Sequence, residues 1–400
     1  MSRVFCPIVL LPLLAFCGPA QAQRGARPDL YFYRTAITLE DGSQVFGFEV
    51  FSPHDMATFP ESQEMSGVIL MVHWSTLCPA ADRCDYSIID KSLEYWRARG
   101  KKVVLSVTTI GWPHKVLNNG KEALVGATPD WVLAKVGAFT TKDGVSFGKI
   151  GGKEGEAHGL TVDLPQFWRP AYLVDLERLI HQLAQRYDGN PTIAQLRMSL
   201  GMETEENPPV GWFGQTPSGY SEIGWVKLCG DIARIYEREF QRTHLEFDIS
   251  RMAVGYAFLN DGAYRAAVDG LLNELKQHNV FLAYNGLARP RPENKVGFAA
   301  HQYAYSQVQR FAPSPRNGGG LELVGPLWQQ DGIAAMAEIV NRTRPNRLVM
   351  FGPEAAAINY RRLGKNPANR GPIDRLTQQK KIDVEIANTA LLLRLIGYTD

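Results

Sequence analysis

Along the chain, short runs of β-branched and other apolar residues alternate with segments whose apolar positions recur every three or four residues. The runs at 44–50, 67–74, 102–110, 195–201, 250–258, 280–284, 296–302 and 347–352 predict eight strands. The helical period is clearest where Tyr172, Leu173, Leu176, Leu179, Ile180, Leu183 and Tyr187 line one face, with Pro170 near the start and Gly189 closing the segment. Segments 85–99, 220–241, 263–278 and 331–341 carry the same period. Strands alternating with amphipathic helices predict βαβ units around a parallel sheet, and eight of them predict a single closed (β/α)8 barrel of the TIM type rather than an open sheet. The short segment 285–295 leaves little room for a crossover helix between the sixth and seventh runs. Segment 111–164, rich in Gly and polar residues, follows the third run directly and predicts a long loop at the C-terminal face, where barrels build their sites.

The N-terminus changes the picture of where the protein works. Arg3, an apolar stretch from Val4 to Phe16 and the small-x-small end Ala20-Gln21-Ala22 form a secretory signal over residues 1–22, leaving 23–400 as one barrel domain. The apolar stretch is shorter than the roughly 20 residues of a spanning helix, so no membrane span is expected after cleavage and the expected location is secreted or periplasmic. In that oxidising setting Cys78 and Cys84 are expected to pair, leaving Cys229 as a free thiol. The spacing of these cysteines matches no zinc site. With 43 basic against 41 acidic residues the chain offers no electrostatic case for a nucleic-acid partner. HExxH, GxGxxG and Walker patterns are missing from the sequence, so no cofactor is implied.

The most informative segment is LRMSLGMETEENPP, residues 196–209. Strand alternation sets Leu196, Met198 and Leu200 against Arg197, Ser199, Gly201 and Glu203; with the apolar side under the helices, Arg197 and Ser199 point into the barrel and Glu203 emerges at its mouth. Glu205 shares that parity in an extended chain, and Glu206 adjoins it. Carboxylates crowded together repel, which raises the pKa of at least one and suits it to proton donation. The plainer alternative is a solvated acidic loop ahead of Pro208-Pro209. Glu354 follows the last run with the parity of Leu348, Met350 and Gly352, which makes it a second candidate carboxylate, although an acid ahead of Ala355-Ala-Ala also suits a helix N-terminus. Further strand ends carry His73, Trp74, Trp112, Asn260, Asn285, His301 and Tyr303, side chains that stack on sugar rings or bond their hydroxyls.

The order of run 67–74, helix 85–99, run 102–110 with Gly111-Trp112-Pro113, Trp168-Arg-Pro-Ala-Tyr, Gln185-Arg-Tyr-Asp-Gly-Asn-Pro and the Glu-bearing strand resembles clan A glycoside hydrolases, notably beta-galactosidase-like and agarase-like members, over residues 67–210. The resemblance implies an acid/base Glu ending strand four. Its pattern, read here as Gly201-Met-Glu-Thr-Glu205, favours Glu205, whereas strand geometry favours Glu203; the Asn that usually precedes that Glu is absent. It also implies a nucleophilic Glu ending strand seven, but the seventh run ends in His301-Gln-Tyr303-Ala-Tyr305. That leaves Glu354 as the nucleophile candidate. If 44–50 belongs to an N-terminal hairpin, the strand before Glu354 becomes the seventh and the one before Glu205 the third. The expectation is a secreted two-carboxylate glycosidase acting on a polysaccharide or oligosaccharide, with a non-catalytic carbohydrate-binding protein on the same barrel as its rival.

Overall fold

The computed structural model describes residues 27–32, 35–38, 44–48, 65–111, 114–118, 121–142, 161–199, 201, 218–250, 252, 260–278, 280–293, 295–314, 318–323, 327, 330–350 and 379–398. Eight parallel strands close into one barrel in chain order: Asp29–Phe32, Met65–His73, Lys102–Thr108, Ile193–Arg197, Leu245–Asp248, Val280–Leu287, Gly318–Leu323 and Arg347–Met350, hereafter barrel strands one to eight. Strand one closes the ring by pairing with strand eight (Tyr31 opposite Val349) and with strand two (Phe32 opposite Val68). Strands two and three are in continuous register from Gly67 opposite Lys102 to His73 opposite Thr108. Gly67 is required there: a Cβ would lie 2.3 Å from the Lys102 carbonyl oxygen and 2.4 Å from the Tyr31 ring.

The helices lie outside and bury their apolar stripes against the outward faces of the strands. Helix Pro170–Tyr187 buries Tyr172, Leu176, Leu179, Ile180, Leu183 and Tyr187, the periodic positions read from the sequence. Helix Glu222–Glu239 begins at Ser221, whose hydroxyl accepts from the Gly224 N–H, and helix Gly262–Gln277 at Asp261, whose carboxylate accepts from the Ala263 and Tyr264 N–H groups. Among the described residues no helix is long and apolar enough to cross a membrane. The segment after strand three carries two antiparallel hairpins (His114–Asn118 with Lys121–Val125, and Ala138–Lys142 with Thr161–Pro165) and the helix Asp130–Val136. A disulfide joins Cys78 and Cys84 just after strand two, and Cys229 is free and buried.

Three of the expected strands are corrected. Run 44–50 lies outside the barrel: Gln44–Phe48 pairs antiparallel with Thr35–Thr38, and the four-residue strand Asp29–Phe32 takes the first place. Run 296–302 is part of the helix Lys295–Phe311, whose buried Ala300, Ala304, Val308 and Phe311 recur at helical spacing, and the seventh strand is Gly318–Leu323. The fifth strand is Leu245–Asp248, ending before run 250–258, most of which is outside the described residues.

Candidate active site

Strands four and seven, and five and eight, are not neighbours in the sheet, so side-chain contacts between them cross the lumen. Arg197 of strand four donates from Nε to Glu246 Oε1 of strand five at 2.8 Å and from Nη2 to Glu322 Oε2 of strand seven at 3.4 Å. Its Nη1 lies 3.9 Å from Asp248 Oδ2. Arg347 of strand eight grips Glu246 with both terminal nitrogens, Nη1 to Oε2 at 2.6 Å and Nη2 to Oε1 at 2.7 Å, and its Nη1 also donates to Gln195 Oε1 at 3.2 Å. Glu322, one residue before the end of strand seven, is opposite Asn285 of strand six. Local sequence dictates this inward set. Leu245, Phe247 and Ile249 pack into the outer core, leaving Glu246, Asp248 and Ser250 on the other face of the same extended chain.

All five charged side chains are buried. Burial opposes ionisation of Glu246 most strongly, yet Arg347 and Arg197 together hold its carboxyl below the usual range. Burial also dominates at Asp248, and Arg197 with the Ser250 hydrogen bonds offsets it incompletely, so that carboxyl is raised. Tyr31, desolvated beside Arg347, keeps its hydroxyl proton. The inner end of strand seven admits Phe281 because Gly318 and Gly320 carry no side chain: a Cβ on Gly318 would sit 2.4 Å from that ring, which lies 4.6 Å from the Arg347 guanidinium.

Glu203, Glu205, Glu206, Trp112 and Glu354 lie outside the described residues. Chain order nevertheless places Glu203 and Glu205 after the fourth barrel strand and Glu354 after the eighth, so the hairpin numbering that made Glu354 follow strand seven does not hold. The carboxylate on strand seven is Glu322, which the sequence reading missed. His73 ends strand two, nearly buried, with the parity of inward Ile69 and Met71, and Asn285 is half-buried with its N–H donating to Ser250 Oγ at 3.0 Å. Trp74 turns the other way and packs edge-on against Trp131 and Tyr172. Asn260 is exposed ahead of the helix Gly262–Gln277. His301 and Tyr303 sit on the helix Lys295–Phe311 rather than at a strand end: His301 Nδ1 meets the Tyr284 hydroxyl, burial lowers its pKa, and the Tyr303 hydroxyl donates to Asp269 of the neighbouring helix. Of the predicted binding residues, His73 and Asn285 share the inward face with Glu322, while Trp74, His301 and Tyr303 belong to the helix layer.

No family model matches the sequence, and no curated protein does. A solved structure does share the fold. The catalytic domain of β-amylase from Paenibacillus polymyxa matches with a TM-score of 0.57 at 12% identity, covering 91% of this chain and 99% of that one. Endo-glycoceramidase II from a Rhodococcus species, in its lactosyl-enzyme intermediate, gives 0.49 at 12% identity over 82% of this chain and 73% of that one. Xylanase 10B from Thermotoga maritima gives 0.42 at 11% identity over 82% and 83%. The chain is a single closed (β/α)8 barrel similar in fold to that β-amylase catalytic domain.

Proposed function

We propose that the protein is a secreted glycoside hydrolase cleaving a polysaccharide or oligosaccharide with two carboxylates at the barrel mouth. The observation that carries this reading is Glu322: a carboxylate at the end of strand seven, on the inward face, with the Arg197 guanidinium beside it. That is the strand on which the family resemblance implies a nucleophile, and it replaces Glu354 in that role. Glu205 or Glu203, following strand four, is the proton donor to the departing sugar oxygen. In a site shielded from water, an ionised Glu322 attacks the anomeric carbon or stabilises its developing positive charge, and water then completes hydrolysis with the second carboxyl as base. His73 and Asn285 offer hydrogen bonds to sugar hydroxyls.

The test is turnover by the purified protein on a panel of plant and algal polysaccharides and aryl glycosides. Glu205→Gln keeps the shape but cannot donate the proton, so turnover on natural linkages is expected to fall about 10²–10⁴-fold. Aryl glycosides with acidic phenols need little protonation and suffer much less. Glu322→Gln is expected to abolish both, and Glu203→Gln and Glu354→Gln in parallel decide the remaining assignments. A wild type that binds sugars from the panel but turns over none of them would make the barrel a carbohydrate-binding protein instead.

A further inference from the structure

The charged groups crossing the lumen do not balance. Among the described residues, strands four, five, seven and eight place two guanidiniums, Arg197 and Arg347, against three carboxyls, Glu246, Asp248 and Glu322. With every carboxyl ionised, this cluster carries a net negative charge in a region closed to water, which is strongly unfavourable. One proton relieves it. Glu246 is served best, accepting from Arg347 through both oxygens and from Arg197. Glu322 takes a direct contact from Arg197 Nη2. Glu322 Oε1 and Asp248 Oδ2 are both buried and accept no hydrogen bond from the described residues, but Asp248 differs in taking none from a guanidinium: its Oδ1 accepts from the Ser250 N–H at 2.9 Å and from the Ser250 hydroxyl, and Oδ2 faces Arg197 Nη1 only at 3.9 Å.

We propose that Asp248 is the proton-bearing carboxyl of this cluster and a positioning residue for Glu322, because a neutral Asp248 leaves the Arg197 charge to Glu246 and Glu322. Among the described residues, the ion pairs bring no third cation to these carboxyls. Tyr31 of strand one keeps its proton, Gln195 of strand four and Asn285 of strand six are neutral amides, Ser106 and Thr108 of strand three are hydroxyls, and His73 ends strand two. Burial acts in the same direction, raising the Asp248 carboxyl. The three carboxyls share one guanidinium, so they titrate together. Removing the charge of Glu322 frees Arg197 for Asp248, which then ionises and gives its proton to solvent. The catalytic use of this arrangement rests on the proposed role of Glu322; the location of the proton does not.

The test is carbon-13 NMR of the full mature chain labelled at the side-chain carboxyls of Asp or of Glu. Loss of one resonance in Asp248→Asn and of another in Glu322→Gln assigns the two signals. At pH 7 the Asp248 carboxyl is expected at its protonated shift and the Glu322 carboxyl at its ionised one; in Glu322→Gln the Asp248 signal is expected to move to the ionised position. Circular dichroism establishes that each variant is folded. Should Asp248→Asn fail to fold, the wild-type Asp spectrum still decides, because a native protein with every aspartate ionised at pH 7 refutes the proposal. A protonated Glu322, or an Asp248 signal indifferent to Glu322→Gln, also overturns it. A catalytically inactive protein with the expected spectra would leave the proton where it is placed here and remove only its use in hydrolysis.

Discussion

On the side of the lumen formed by strands one to three, Tyr31, Ile69, Met71 and Val104 pack with Val349 of strand eight as an apolar cluster, whereas strands four to eight bury two guanidiniums and three carboxyls in the opposite side. Both sides are equally closed to water, and the same alternation of a pleated strand aims both inward. They differ in how their stability depends on partners. An apolar cluster loses stability gradually as atoms are removed, because each contact is small. A buried ion cluster loses it abruptly, because removing one member strands another charge without water or a counter-ion. The difference lies in charge: the described residues bury their lumen guanidiniums and carboxyls on the side that contains Glu322.

The comparison is broken most severely by Arg347→Met, which leaves Glu246 buried without its two-pronged partner. The expected cost is about 3–5 kcal/mol in urea unfolding at pH 7. Adding Glu246→Gln to that variant is expected to restore part of the loss; a double variant no more stable than Arg347→Met would refute the ion-pair account. On the apolar side, Ile69→Val removes one methylene from a fully buried residue and is expected to cost about 0.5–1.5 kcal/mol. That loss is expected to be the same at pH 5 and pH 8, and a clear pH dependence would mean that the two sides are not energetically separate.

Much of this contrast was legible before the structure. The three-and-four spacing of helix 170–187 and the inward parity of Arg197 both followed from where the apolar residues fall. The same parity in Leu245-Glu-Phe-Asp-Ile-Ser250 would have found Glu246 and Asp248, but the strand was read a few residues too late. Strand seven was hidden for a different reason. Its first half is Gly318-Gly-Gly320, which reads as a loop and whose small size answers to Phe281 and the Val308 backbone, neither adjacent in sequence. With the seventh strand expected at 296–302, Glu322 falls outside every expected strand and Glu354 stands as the second candidate carboxylate. Strand one escaped because four residues, Asp29–Phe32, carry too short a pattern to be read without the strands on either side.

The smallest expected effect sharpens the comparison within the charged side itself. Glu246 and Asp248 are two residues apart on one strand, yet their environments move their pKa values in opposite directions. Glu246 ionises more readily in the folded chain, so its contribution to stability is present above the unfolded Glu value of about 4.3 and is lost as pH falls through its lowered folded value. Asp248 holds its proton more tightly when folded than when unfolded. Between the unfolded Asp value of about 3.9 and its raised folded value, unfolding therefore releases a proton, and each step up in pH favours the unfolded chain. Asp248→Asn cannot release that proton, and as long as Asp248 holds it Glu246 faces a neutral side chain at position 248 in both proteins. Asp248→Asn is thus expected to gain stability relative to the wild type as pH rises above about 4, with the gap levelling off once Asp248 ionises in the folded state. The effect is smaller than that of Arg347→Met, because neither guanidinium loses an ionised partner. Urea unfolding of both proteins across the acidic and neutral range measures the gap, and parallel curves would show that Asp248 holds no extra proton in the folded barrel.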